Sequence, residues 1–291
     1  MQLLKPSSDR KTRSYDSQKN TFGLLPGPEG TCPGATAAAK GCWFKAPGRK
    51  TSTCYVDNIM RLYKGVYGIL EYNTRVLREA AASATPIQSM VEILDAEFTR
   101  FKDAETKHQA KTAEPLSLNY RLHWAGDIFN TDYAQALHQA MVKHPEIHFW
   151  NYTRSFFAVP YIINTPNLIQ YLSLDPVNIT EGLITYTDCN GPNNPRLQLC
   201  YMGRDEPSDT APLKHLPYDN FEQMRQHTFE ILTARNDVRK MLGQSVKQIN
   251  WLAQLRFSAC PVDIGKIKLE NGCVNCKRCT TAGTEPVWFA S

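Results

Sequence analysis

Between Arg121 and Ser155 the spacing of apolar and polar residues changes from strand-like to helical and back. Leu122 to Trp124 alternate ahead of Gly126; Tyr133, Ala136, Leu137, Ala140 and Met141 then recur at helical spacing until Pro145, with Asp132 placed to cap the helix. Ile147 to Tyr152 supplies a second strand. A crossover of this length joins parallel strands, whose carboxyl ends gather on the side of the sheet where α/β folds place ligands. Asp127 and the run Thr153-Arg154-Ser155 fall at such ends.

The same reading extends along the chain. Thr21 to Leu25 is a short strand, and a helical pattern from Tyr55 runs through Val56, Ile59, Met60, Tyr63, Val66, Tyr67, Ile69 and Leu70 to Val76 and Leu77. Gly65 and Gly68 weaken that helix without ending it. A further helix runs from Pro86 to Phe101, followed by a polar surface connection from Lys102 to Pro115. Asn167 to Leu174, Gly182 to Thr187 and Leu197 to Met202 read as strands, Gly203 to Pro217 as a loop, and Phe221 to Leu232 and Val238 to Leu255 as helices. Strands that keep returning after helices make the class α/β, a partial or full (β/α) barrel ending in a cysteine-rich metal or cluster segment. The expected organisation is a basic, flexible arm over residues 1–20, an α/β catalytic domain over 21–255 and a four-cysteine segment over 256–291.

Composition narrows the function classes. A chain of 291 residues, 42% hydrophobic and 21% charged, is long enough for a substantial core, and no window is long and apolar enough for a bilayer. A cytoplasmic protein without a membrane partner is expected. The excess of 33 Lys+Arg over 28 Asp+Glu, +5 in all, is compatible with DNA or RNA without requiring it. In a reducing compartment nine cysteines point to metal, cluster or buried thiols rather than disulfides.

Their placement is uneven. Cys273, Cys276 and Cys279 repeat with two residues between neighbours, and Cys260 precedes them by twelve, so four soft ligands are set for zinc or a [4Fe–4S] cluster, with the cluster favoured by the C-x2-C-x2-C run. Lys277 and Arg278 would offset thiolate charge or meet a phosphate backbone. Cys32, Cys42 and Cys54 lie in a Gly/Pro-rich loop with nine and eleven residues between them, a backbone free to fold three thiolates around one centre. Cys189 and Cys200 read as structural.

The unit containing His123-Trp124-Ala125-Gly126-Asp127, its helix and the strand ending at Arg154-Ser155 resembles the second βαβ unit of radical S-adenosylmethionine enzymes. That resemblance implies a [4Fe–4S] cluster on Cys32, Cys42 and Cys54, with Gly126 and Asp127 at the turn that receives the amino group of S-adenosylmethionine. Arg154 and Ser155 would touch its carboxylate or ribose. The aromatic Tyr55 after Cys54 is similar to the cluster loop, while the loop spacing departs from the usual C-x3-C-x2-C. From Phe22 to Cys279 the C-P-G-A-T, C-Y-V-D-N, G-D-I-F, N-Y-T-R-S and terminal cysteine motifs also resemble a family of bacteriophage proteins, gene product eighty-eight, which implies a phage origin and, with it, the cytoplasm of the host cell.

Three functions follow as expectations. The first is a radical S-adenosylmethionine-like iron–sulfur enzyme, acting on a nucleic acid or nucleobase, with an auxiliary cluster on the terminal cysteines. The second is a zinc-containing base-exchange transglycosylase inserting 7-deazaguanine into DNA or RNA, with Asp127 as the catalytic carboxylate. The third is a metal-stapled nucleic-acid-binding module without catalysis.

Overall fold

In the computed structural model, residues 2–7, 19–38, 41–112, 116, 118–202, 220–260, 276, 281 and 286–289 are described. The strands are β1 (Thr21–Phe22), β2 (Asn119–His123), β3 (His148–Thr153), β4 (Leu168–Leu174), β5 (Leu197–Met202), β6 (Ser258–Ala259) and β7 (Val287–Phe289). Among the described residues they form one sheet in the order β1-β2-β3-β4-β5-β7-β6, and all six pairings are parallel. β6 and β7 lie within residues 256–291, and both join the main sheet. Among the described residues no pairing joins β6 to β1, so they form no closed barrel.

Because β1 to β5 follow one another in chain order, each crossover leads to the adjacent strand. The helices are α1 (Tyr55–Leu62), α2 (Lys64–Ala81), α3 (Pro86–Thr112), α4 (Thr131–Val142), α5 (Val159–Ile162), α6 (Ile179–Asp188) and α7 (Phe221–Met241). β4 shows how the sheet sorts its faces. Leu168, Leu172 and Leu174 join the two large cores shared with the helices, while Ile169 and Tyr171 turn the other way, towards Tyr152, Cys200, Val287 and Phe289. The helices pack on the first of these faces; on the second, the described partners are side chains of neighbouring strands. Phe98 of α3 meets Tyr120 edge-on at 5.3 Å and Phe149 at 4.7 Å, a burial that stabilises the fold by roughly 1.5–3 kcal/mol per such side chain.

Local chemistry explains most boundaries, including those the apolar pattern missed. The expected βαβ unit is present, but its helix is capped by Asn130, whose side chain accepts the Tyr133 N–H at 2.8 Å, rather than by Asp132. The single helix expected from Tyr55 is broken at Tyr63, whose backbone (φ −127°, ψ 89°) is not helical. The polar connection after Phe101 is the continuation of α3: its Lys, Ala, Glu and Gln residues are strong helix formers, and Glu105 is buried. The expected strand Gly182 to Thr187 is part of α6. Its buried residues, Ile179, Gly182, Leu183 and Thr187, fall at helical spacing, and Gly182 packs so closely that a Cβ would lie 2.1 Å from Leu174. The last expected helix is replaced by α7, which ends at Met241 ahead of Gly243 (φ +67°), leaving Val238, Met241 and Leu242 exposed.

The start of the chain is docked where it is described. Leu4 is buried, the Lys5 N–H donates to Asn73 Oδ1 at 2.8 Å and the Ser7 N–H to the Thr21 carbonyl at 2.8 Å. Among the described residues, no helix is long and apolar enough to cross a membrane.

Candidate functional site

The segment after β1 leaves the sheet and folds back over the carboxyl ends of the strands. The Leu24 N–H donates to the Ala125 carbonyl at 2.8 Å, and the Leu25 N–H to Thr74 Oγ1 at 2.7 Å. Thr31 then clamps the turn that follows β2: its hydroxyl donates to the Leu25 carbonyl at 3.0 Å and accepts the Asp127 N–H at 3.2 Å. Gly126 beneath it has φ +78°, and a Cβ there would stand 2.5 Å from Thr31 Oγ1, so only glycine allows the two loops this approach. Gly34 lies against the end of β3, where a Cβ would stand 2.1 Å from the Arg154 carbonyl oxygen.

This docking gathers Cys32, Cys42 and Cys54. The Ala35 N–H donates to the Cys32 carbonyl at 2.9 Å, and the Trp43 N–H to Thr36 at 2.9 Å. Thr53 donates its N–H to the Phe44 carbonyl at 2.8 Å and its hydroxyl to the Gly41 carbonyl at 2.7 Å, which draws Cys54 towards Cys42. The three thiols lie within one another's electrostatic reach, and Cys32 and Cys42 also sense Asp127. Burial pushes all three up, most strongly Cys32, where Asp127 adds to the effect. Backbone amides oppose it: those of Gly27, Thr36, and Asp57 with Val56 face Cys32, Cys42 and Cys54 respectively, and the Arg154 guanidinium also favours a Cys42 thiolate.

Asp127 has a different task from the one expected. It is buried, and its Oδ1 accepts the Ile128 N–H at 2.8 Å and the Thr153 hydroxyl at 2.6 Å. Its Oδ2 accepts the N–H groups of Arg154 at 2.7 Å and Ser155 at 3.2 Å. Both oxygens are therefore filled from within the protein. Burial pushes the carboxyl up, and hydrogen bonds led by Thr153 and the Arg154 amide pull it back. Neither an amino-group acceptor nor a transglycosylase nucleophile is left exposed here; the residue ties the end of β2 to the end of β3.

Arg154 is similarly held. Its guanidinium pairs with Asp175 at the end of β4 and lies 3.8 Å from Met202 Sδ. Asp175 Oδ1 in turn accepts the N–H groups of Val177 at 2.8 Å and Asn178 at 3.0 Å. The Ser155 hydroxyl is buried beside the Asp127 carboxylate. Asp175 was not singled out from the sequence, although a carboxylate directly after the strand pattern ending at Leu174 was the signal. Thr31 carried no such signal, since its partner lies 96 residues away.

Of the terminal cysteines, Cys260 is buried in one cluster with Tyr171, Cys200 and Val287, and Cys276 is half-buried; Cys273 and Cys279 lie outside the described residues. Cys200 is buried mid-strand and Cys189 half-buried at the end of α6. Among the described residues, no three Cys, His, Asp or Glu side chains close around a single-ion position.

The model of a protein family described as Gene product 88 matches residues 2–282. The chain belongs to the Gene product 88 family. Over 191 residues it is 30% identical to the Gene 88 protein of Mycobacterium phage L5, covering 62% of this chain and 71% of that protein. The Gene 88 protein of Mycobacterium phage D29 is 29% identical over 191 residues, covering 62% and 70%. Both relatives are phage proteins, which supports the expected bacteriophage origin. No solved structure matches. The family description names no activity.

Proposed function

We propose that this Gene product 88 protein is an iron–sulfur enzyme, with Cys32, Cys42 and Cys54 holding a [4Fe–4S] cluster over the carboxyl ends of a singly wound parallel sheet, the wall of an open barrel. The observation that carries the reading is the gathering of three half-buried cysteines, separated in sequence by nine and eleven residues, into one neighbourhood. The donor set fits: no three described side chains close around a single-ion position, and thiols each faced by a backbone amide suit a cluster better than mononuclear zinc. Such a cluster supplies low-potential electron transfer, used by radical S-adenosylmethionine enzymes to start chemistry at unactivated carbon.

The chain's own residues would keep that centre dry and positioned. Thr31, Gly34 and Gly126 hold the cysteine loop against the strand ends, and Asp127 fixes the turns of β2 and β3 on which the loop rests. Arg154, held by Asp175, places a positive charge beside Cys42 and would balance part of the thiolate charge. The residues present do not fit S-adenosylmethionine in the manner expected, because Asp127 is saturated and Arg154 is paired.

The test is anaerobic purification followed by iron and sulfide analysis of the wild type and of Cys32→Ala, Cys42→Ala and Cys54→Ala, with Cys189→Ala as control. Each loop variant is expected to lose the iron of one cluster, about four atoms per chain, and its share of visible absorbance. Cys276→Ser reports separately on any terminal centre. Iron that is absent from the wild type, or indifferent to all three loop substitutions, would overturn the reading.

A further inference from the structure

Beside the cysteine loop, α1 and the start of α2 present a face of exposed apolar and aromatic side chains. Tyr55, Leu62, Tyr63 and Tyr67 are 49%, 57%, 62% and 42% exposed. The Tyr55 hydroxyl serves the fold, donating to the Trp124 carbonyl. From Gly41 to Glu71 the chain carries five cations, Lys45, Arg49, Lys50, Arg61 and Lys64, all exposed, against two carboxylates, Asp57 and Glu71. Both carboxylates are engaged: Asp57 accepts the Ser52 N–H at 2.6 Å, and Glu71 accepts the Tyr67 hydroxyl at 3.2 Å. None of the five cations makes an ion pair among the described residues. Gly65 and Gly68 sit within this face, and a Cβ at either would meet nothing within 4 Å. Glycine in a helix costs about 0.5–1 kcal/mol relative to alanine, and no neighbour here requires it. The two glycines leave no side chain beside Tyr63 and Tyr67 at these positions.

We propose that this face binds a single-stranded nucleic acid. Cations interleaved with exposed tyrosine rings match a chain that alternates phosphates with planar bases, and the open glycine surface lets a base lie against a ring. A duplex hides its base faces, and an acidic peptide has no use for the rings. Because α1 begins at Cys54, a strand lying along it is led to the cysteine site. The proposal names the partner of the proposed enzyme and rests on that reading for its purpose, but the binding itself is measured without it.

The test uses the full-length protein, a fluorescein-labelled oligodeoxythymidine and fluorescence anisotropy at several salt concentrations. With all five cations engaged, log affinity should fall against log salt with a slope of about −3.5. Tyr63→Ala should weaken binding at least about fivefold through lost stacking. Arg61→Ala with Lys64→Ala should reduce the slope by about 1.4. These side chains are exposed, so thermal melts and iron content should match the wild type. No binding, or binding that all these variants leave intact, overturns the proposal. So does equal affinity for polyglutamate, which would point to an acidic protein, or self-association abolished by Tyr63→Ala, which would make the face a dimer interface. Protein that holds iron yet ignores the oligonucleotide sinks this inference alone; protein that binds the oligonucleotide but holds no iron sinks the cluster alone.

Discussion

Replacing Asp127 by Asn tests whether that carboxylate is a ligand-binding group or a clamp. Its two oxygens accept from Ile128, Thr153, Arg154 and Ser155, four donors in all, at 2.6–3.2 Å. An amide keeps one acceptor oxygen and turns an NH2 group towards the other pair of donors. If that pair is the Arg154 and Ser155 amides, two N–H groups at a buried site lose their acceptor, at about 1–3 kcal/mol each. Relief from burying a charge, the same burial that pushes the Asp127 carboxyl up, offsets part of this. The net expectation is a loss of about 2–4 kcal/mol, or about 3–7 °C in Tm for a chain of 291 residues. Urea unfolding followed by tryptophan fluorescence measures it, with an unchanged m-value as the check that only stability has moved. Thr153→Val, made alone and together with Asp127→Asn, should show non-additive losses because the two side chains share a bond of 2.6 Å. A loss below about 0.5 kcal/mol would refute the clamp, since surface-like behaviour there means that the internal bonds are not made and the carboxylate is free for a ligand.

Acid stability and loop docking give two more tests. His123 is buried against Tyr133, and burial lowers its pKa from 6.5 to about 3, so it stays neutral in the folded chain while the unfolded chain takes up a proton below 6.5. Its contribution is therefore complete above 6.5 and is lost as pH falls towards 3, about 3 kcal/mol of it by about pH 4.5. His123→Gln should flatten that acid limb in urea midpoints taken across the range; identical limbs would show that His123 is protonated when folded. Asp127 and Glu97, both pushed up by burial, titrate in the opposite sense and remain in both proteins. Gly34→Ala places a Cβ 2.1 Å from the Arg154 carbonyl oxygen and should lift the cysteine loop, lowering iron content while costing about 1–3 kcal/mol; full iron retention would show that the loop does not depend on this contact.

Much of the α/β framework was written in local pattern. The Leu122 to Tyr152 unit, the strands at 168–174 and 197–202 and the helix beginning at Phe221 all appear, because alternation and helical spacing report which side of each element meets the core. Where the pattern failed, packing had decided: Gly182 to Thr187 is rich in strand-forming residues, yet Ile179, Gly182, Leu183 and Thr187 are buried at helical spacing, with Gly182 close against Leu174. Sequence marked Cys32, Cys42, Cys54, Asp127 and Arg154, since thiols in a Gly/Pro-rich loop and polar groups at strand ends are local signals. It could not determine their roles. Whether a carboxylate faces a ligand or is consumed by its neighbours depends on donors up to 28 residues away, and the pairing of Arg154 with Asp175 joins the ends of adjacent strands. Those partners are brought together by sheet order and loop docking, which are long-range properties of the fold, so only the tertiary structure decided that Asp127 is a clamp and that three distant cysteines share one neighbourhood.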